Sequence, residues 1–469
     1  MSRTGRGVLG GVALALAVVL LAAGVYRMRG DDGGHPRGTL EDLQALATRS
    51  DLNVLFILVD TLRADRLGAY GYERDTSPNL DALAASGVRF ANQVAQSSWT
   101  KCSMASLWTG LYPVRTRVLR AYDVLAEQAH TPAETFREAG FRTAGIWRNG
   151  WIAPNFGFGQ GFEIYLSPRS ERRQRARVQR VEHPNLTLDG DDGDILDSTR
   201  EFLRAHGHER FFLYLHLMDV HQYAYSEESA LFGTNYSDSY DNAIHWVDSL
   251  LGILFDELDA MGLRDRTVIV FGSDHGEAFG EHDGEGHARN VYGEVTTTPL
   301  ILGLPFRLEP GIVVDARSKN VDLWPTVLDL VGLPPLPDAD GRSLVPEIVA
   351  SARGEGQRSD DDDGVAFAQI DQAWAKTRET PRPMVAVNQG RWRLLYRAGF
   401  PKHSELYDKS DDPLEQQNLA AERPEVAKAL NELALGYLKS PPPPWGDAPI
   451  IEIDEMELNQ LRALGYGVQ

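Results

Sequence analysis

Residues 53–60 read NVLFILVD, an uncharged, β-branched run closed by an aspartate. A short apolar run of this kind reads as a strand buried on both faces of a parallel sheet. Its aspartate, Asp60, then falls at the C-terminal edge of the sheet, where open α/β folds place ligand sites. The pattern returns twice. Residues 211–217, FFLYLHL, run into Met218 and Asp219, and residues 267–271, TVIVF, run into Ser273, Asp274 and His275. Around these lie helix-period segments at 79–86, 131–139 and 240–261, a strand at 143–147 and another beginning at 300–302. Alternating helices and strands predict an α/β sandwich around a mostly parallel sheet.

The rest of the 469 residues sets bounds on that core. Hydrophobic residues are 42% and charged residues 24%, which excludes wholesale disorder and a polytopic membrane protein. Lys and Arg number 47 against 67 Asp and Glu, a net charge of −20. No nucleic-acid partner is expected at that balance. A single cysteine, Cys102, excludes an intramolecular disulfide framework and a cysteine-based zinc finger. Residues 8–26 are apolar and flanked by Arg3, Arg6, Arg27 and Arg29. They read as a signal anchor in preference to a cleaved signal peptide. The expected placement is the cell envelope, membrane-anchored, with the catalytic part outside the cytoplasm, or secreted if the segment is cleaved. The expected organisation is 1–29 anchor or signal, 30–50 linker, 51–350 main domain and 351–364 acidic loop. A small C-terminal α+β domain at 365–440 follows, with a hairpin at 385–396 turning at Gln389-Gly390 and a helix at 424–438. A Pro-rich spacer and terminal segment close the chain at 441–469.

The strand ends carry the chemistry. Carboxylate and imidazole converging at one sheet edge is what a divalent cation needs. A lone strand-end Asp more often caps the next helix. Asp274-His275-Gly276-Glu277, followed by His282 and His287, is harder to explain that way. His216 is set aside, because alternation makes it a sheet-face residue. Ser97-Ser98-Trp99-Thr100 precedes a helix at 104–110. Thr100 or Ser98 there is either a helix cap or a nucleophile activated by a cation and the helix end. Lys101, Arg63 and Arg115 are candidate sources of local positive charge, though each reads more readily as a surface residue.

Several stretches together resemble the sulfatase family of the alkaline phosphatase superfamily. They are VDTLRADRLGAYGYERDTSPNLDALAASGVRFAN from Val59, SSWTKCSMASLWTGLYPVRT from Ser97 and LHLMDVHQYAY from Leu215. YDNAIHWVDSLLG from Tyr240, GSDHGEAFGEHDGEGHARNVY from Gly272 and SELYDKSDDPLEQQNLA from Ser404 continue the match. The resemblance implies an alkaline-phosphatase-like α/β sandwich with a small C-terminal domain. It implies metal ligation by Asp60, Asp274 and His275, and contact of His221 and His287 with the transferred group. Asp219 matches a segment that, in phosphate-handling branches, ligates a second metal.

The sequence also departs from the family pattern. Sulfatases carry a Cys or Ser, matured to formylglycine, in a C/S-x-P/A-x-R motif. Counting back from Thr109-Gly110, that position holds Thr100, while Cys102 and Met104 stand at the motif's Pro/Ala and Arg positions. Formylglycine is therefore not expected. Thr61 stands where many sulfatases have a second Asp ligand, which disfavours calcium. Thr100 instead resembles the phosphodiesterase and phosphoethanolamine-transferase branches, so zinc is favoured over calcium or manganese. The expectation is a metal-dependent hydrolase of sulfate or phosphate esters, with Thr100 favouring phosphoryl chemistry. The alternatives are a phosphoethanolamine-type transferase and an inactive sulfatase-like binding protein. The expected partner is an anionic ester, with a polysaccharide or a lipid head group as candidates.

Overall fold

The computed structural model describes residues 35–168, 177–178, 190–355, 364–376, 379–453 and 458. Eight strands form the central sheet. In chain order they are β1 (Asn53–Val59), β2 (Val88–Phe90), β3 (Arg142–Trp147), β4 (Ile164–Leu166), β5 (Phe211–Leu217), β6 (Thr267–Gly272), β7 (Leu300–Gly303) and β8 (Ile312–Val314). Their order across the sheet is β8-β2-β7-β6-β1-β5-β3-β4. β1 lies at the middle, parallel to β5 and β6, and only β7 runs antiparallel to its neighbours. β1, β5 and β6 are buried on both faces, as their uninterrupted apolar runs require.

Two cores result. On one face Phe56, Tyr214 and Phe212 pack against Trp108, Phe136 and Trp324. On the other, Leu55, Ile57 and Leu215 meet helices α1 (Pro78–Ala85), α4 (Asp192–His206) and α5 (Tyr236–Ala260). The first face carries α2 (Thr100–Thr109), α3 (Pro132–Glu138) and α6 (Asn320–Leu330). This is the expected helix–sheet–helix sandwich. A second, antiparallel sheet follows: β9 (Ala366–Asp371), β10 (Pro383–Gln389), β11 (Trp392–Arg397) and β12 (Glu405–Asp408), covered by α7 (Pro424–Leu438). The β10–β11 hairpin turns with Gln389 paired to Trp392.

The expected placement on a membrane is corrected. Among the described residues, no helix is long and apolar enough to cross a bilayer. The longest, α5, has 25 residues but carries Asp238, Asp241, Asp248, Asp256, Glu257 and Asp259, and it lays one face on the sheet. The apolar run at 8–26 lies outside the described residues, as do the acidic stretch 356–363 and most of the terminal segment.

Candidate metal and nucleophile site

Four parallel strands deliver their ends to one place. β1 ends at Asp60, whose N–H donates to the Leu217 carbonyl of β5 at 3.0 Å. The next residue, Thr61, has φ of 61°, a left-handed conformation costly for a β-branched residue. That turn lets the Thr61 N–H face Asp274 Oδ1 at 3.4 Å. Across the sheet, β6 supplies Asp274 and His275. Asp60, Asp274 and His275 offer ligand atoms within 4.8 Å of one another, and all three are fully buried.

The hydrogen bonds show which atoms are spoken for. Asp60 Oδ2 accepts from Asn149 Nδ2 at 2.6 Å and lies 3.0 Å from His216 Nε2. Asp60 Oδ1 and Asp274 Oδ2 have no hydrogen-bond partner among the described residues. They lie 3.9 and 3.3 Å from His275 Nε2. His275 Nδ1 is 3.0 Å from the Gly276 carbonyl. That contact places the proton on Nδ1 and leaves the Nε2 lone pair facing the carboxylates. Two orphaned buried carboxylate oxygens and an imidazole lone pair, all converging, fit a divalent cation. Burial would raise the Asp60 carboxyl, but His216, His221 and His275 hold it below the usual range. Burial, and then neighbouring Asp60, push Asp274 up.

Thr100 closes the group. It is the first residue of α2, with Oγ1 3.2 Å from His275 Nε2 and 3.4 Å from Asp60 Oδ2. Its side chain is buried at the N-terminal end of the helix, where the aligned peptide dipoles create a positive potential. Asn149 follows β3. Its Oδ1 accepts from Trp151 N at 2.9 Å, and its amide nitrogen then points at Asp60 and, at 3.4 Å, Thr100.

Two histidines complete the rim. The His287 ring lies 4.7 Å from His275 and 5.0 Å from His221, centroid to centroid. Burial opposes its protonation, but Glu277, 3.2 Å from Nδ1, raises its pKa overall. Burial lowers His221 to about 4, so it is neutral at pH 7.

A family model described as Sulfatase matches residues 52–333, and one described as N-sulphoglucosamine sulphohydrolase, C-terminal, matches residues 280–436. The chain belongs to the sulfatase family. It is 24% identical to the N-acetylgalactosamine-6-O-sulfatase of Bacteroides thetaiotaomicron, over 81% of this chain and 92% of the relative. It is 27% identical to human arylsulfatase A, over 86% and 91%. The phosphonate monoester hydrolase of Agrobacterium radiobacter shares the fold, with a TM-score of 0.64 and 21% identity over 82% of this chain and 95% of that one.

Within this sulfatase fold, the other expected residues fall differently. Asp219 is not brought to the trio. Its Oδ1 takes Arg148 at 2.7 Å, and its Oδ2 takes the Asp192 N–H at 2.8 Å and Trp246 Nε1 at 2.9 Å. His282 is also elsewhere, stacked on Tyr292. The three candidate cations are engaged away from the trio. Arg63 pairs with Asp65 and Glu281, Arg115 pairs with Asp340, and buried Lys101 donates to the Ala121 carbonyl over the Phe156 ring. His216, set aside on alternation, is in contact with Asp60. Alternation places it correctly on a sheet face. Only the register, with Leu58 opposite His216, shows that this face ends beside Asp60.

Proposed function

We propose that the protein is a divalent-metal-dependent ester hydrolase in which Thr100 is the nucleophile and phosphate esters are preferred over sulfate esters. The observation that carries this is a buried threonine hydroxyl 3.2 Å from His275 Nε2, beside two unpaired carboxylate oxygens. Asp60, Asp274 and His275 would hold the cation, with Thr100 completing its ligands. Imidazole and carboxylate together suit zinc better than an all-oxygen calcium site. A cation held there would lower the pKa of the Thr100 hydroxyl and neutralise charge on the ester.

The residues then divide the work. Thr100 Oγ, its proton released to solvent, attacks phosphorus as the bond to the leaving oxygen breaks, and a phospho-threonine forms; water then displaces Oγ from phosphorus, and the freed Thr100 oxygen takes a proton back from solvent. His287, whose pKa Glu277 raises against the effect of burial, is placed to supply the proton that the leaving alcohol needs. It then takes a proton from the water that releases phosphate. Neutral His221 donates one hydrogen bond to the bound anion. A formylglycine hydrate expels sulfate by collapse of its own gem-diol. A threonine cannot take that step, which is why phosphoryl transfer is preferred. The names of the two sequence relatives point to saccharide and aryl esters as the kind of alcohol to test. Asp219, committed to Arg148, is not assigned a metal, so one cation per chain is proposed.

The test compares aryl phosphate, bis-aryl phosphate and aryl sulfate hydrolysis by zinc-loaded protein and by Thr100→Ala. Phosphoester turnover that falls by roughly 10³-fold or more in the variant is expected for loss of a nucleophile. Sulfate turnover that survives Thr100→Ala would overturn the assignment.

A further inference from the structure

The two carboxylates of the trio are held by unequal means. Among the described residues, Asp274 Oδ1 receives only the Thr61 N–H, at 3.4 Å. Asp60 Oδ2 is contacted by three side chains, and one of them belongs to a chain of contacts running back into the sheet. Strand β5 alternates, so Phe212, Tyr214 and His216 share the face turned toward α2 and α6. The Tyr214 ring is clamped between Phe56, stacked at 5.3 Å, and Trp108, edge-on at 5.0 Å. Its hydroxyl meets His216 Nδ1 at 2.5 Å, and His216 Nε2 meets Asp60 Oδ2 at 3.0 Å. All three residues are fully buried.

The proton order follows from the acceptors. Ionised Asp60 can only accept, so His216 Nε2 carries a hydrogen. In the tautomer that pairs both ring nitrogens, with the hydrogen of Nε2 on Asp60, Nδ1 accepts and the tyrosine hydroxyl donates. Asn149 Nδ2 adds a second donor to the same oxygen. Among the described residues, every donor to the Asp60 carboxylate thus falls on Oδ2, and Oδ1 is left turned toward His275.

We propose that Tyr214 and His216 are positioning residues: a buried Tyr–His relay that fixes the tautomer of His216 and, through it, the rotation of the Asp60 carboxylate, so that Oδ1 is presented to the cation. The proposal rests on the reading of Asp60, Asp274 and His275 as a cation site. It assigns the Tyr214 hydroxyl a task that its ring does not share. The ring fills the core, while the hydroxyl serves the site. Partners of this kind, one step removed from the metal, typically control affinity by 10–100-fold.

The experiment measures Co(II) affinity by chelator competition, together with the d–d absorption of the Co(II) protein, on the full chain. The proteins are wild type, Tyr214→Phe, His216→Ala, His216→Gln, the Tyr214→Phe/His216→Ala double variant and Asp60→Ala. Tyr214→Phe keeps the ring and is expected to weaken Co(II) binding about tenfold, with His216→Ala weaker still, toward 100-fold. In His216→Gln the amide N–H can still donate to Oδ2, so its affinity returns toward the wild-type value. Because the two residues act in series, Tyr214→Phe adds nothing in the His216→Ala background. The Co(II) spectrum shifts in Tyr214→Phe while the melting temperature of the metal-free protein barely moves, which a purely packing role would not produce. Wild-type affinity and spectrum in Tyr214→Phe would overturn the relay, as would additive losses in the double variant. If His216→Ala does not fold, Tyr214→Phe and His216→Gln decide the question. If wild type and Asp60→Ala both fail to bind Co(II), the cation reading itself is wrong and the relay falls with it. That outcome is distinct from a wild type that binds and a Tyr214→Phe that matches it.

Discussion

Thr100 and Cys102 lie two positions apart on α2 and meet opposite surroundings. At 3.6 residues per turn, two positions are about 200° apart, just over half a turn. Thr100 faces His275 and Asp60, while Cys102 faces the core with Trp99, Ala105 and Trp108. Burial pushes the Cys102 thiol up to about 12, so it is neither a thiolate nor turned toward the trio. Cys102→Ala is therefore expected to keep turnover within a few-fold of wild type, and native Cys102 should resist alkylation until the protein is denatured. Loss of turnover in Cys102→Ala as complete as in Thr100→Ala, measured on the same substrates, would contradict this. This much is legible from spacing, because counting back from Thr109-Gly110 separates the two residues. The partners of Asp60 are not. Asn149 lies 89 positions away in sequence and His216 156 away, and only strand order makes them neighbours.

At the level of elements, the segment between β6 and β7 is pinned to the C-terminal sheet by His282. Both of its ring nitrogens face acceptors: Glu294 Oε1 at 3.0 Å and the Glu415 carbonyl at 2.8 Å. Its ring stacks on Tyr292 at 3.9 Å. Burial opposes the imidazolium, but Glu294 and the Glu415 carbonyl outweigh it and raise the pKa to about 9. A folded-state pKa above the unfolded value of about 6.5 gives stability that is complete below pH ~6.5 and lost as pH rises through ~9. The melting-temperature gap between wild type and His282→Ala should thus be widest near pH ~6 and close above pH ~9. A gap that stays constant across that range would reduce His282 to its stacking on Tyr292. The sequence marks His282 only as one histidine in a His-rich stretch. Its partner Glu415 belongs to a segment more than 130 positions on, so its structural role is invisible there. Elements show the same limit. Asn320–Leu330 carries Pro325, which reads as a helix breaker. Asp192–His206 opens in an Asp- and Gly-rich run that reads as a turn. The strands Val88–Phe90, Ile164–Leu166 and Ile312–Val314, at or next to the sheet edges, are three residues each, defined by pairing and not by pattern.

Across the whole molecule, a buried cation helps tie the small antiparallel sheet to the sandwich. Arg393 on β11 donates to the Val291 carbonyl and Thr296 Oγ1, and its Nε lies 3.3 Å from Glu415. Glu415 in turn accepts from the Gly293 N–H at 3.1 Å. Removing one partner of such a pair strands the other charge. Glu415→Ala is expected to cost about 3–5 kcal/mol, read as a lower denaturation midpoint at unchanged slope. A loss under about 1 kcal/mol would mean that the pair is solvated in solution. By itself, the sequence determined what local patterns can carry: three apolar strands ending in acid or histidine, the helix periods, the C-terminal hairpin, and a threonine just ahead of a helix in the segment that resembles the family motif. Those properties depend on neighbours within a few residues. Tertiary structure alone decided that Asp219 serves Arg148 and not the trio, that His216 and Asn149 share one oxygen of Asp60, and that Lys101, Arg63 and Arg115 are already engaged. Each of those outcomes depends on which strand lies beside which and in what register. That is settled by packing both faces of the sheet at once, which no single segment of sequence encodes.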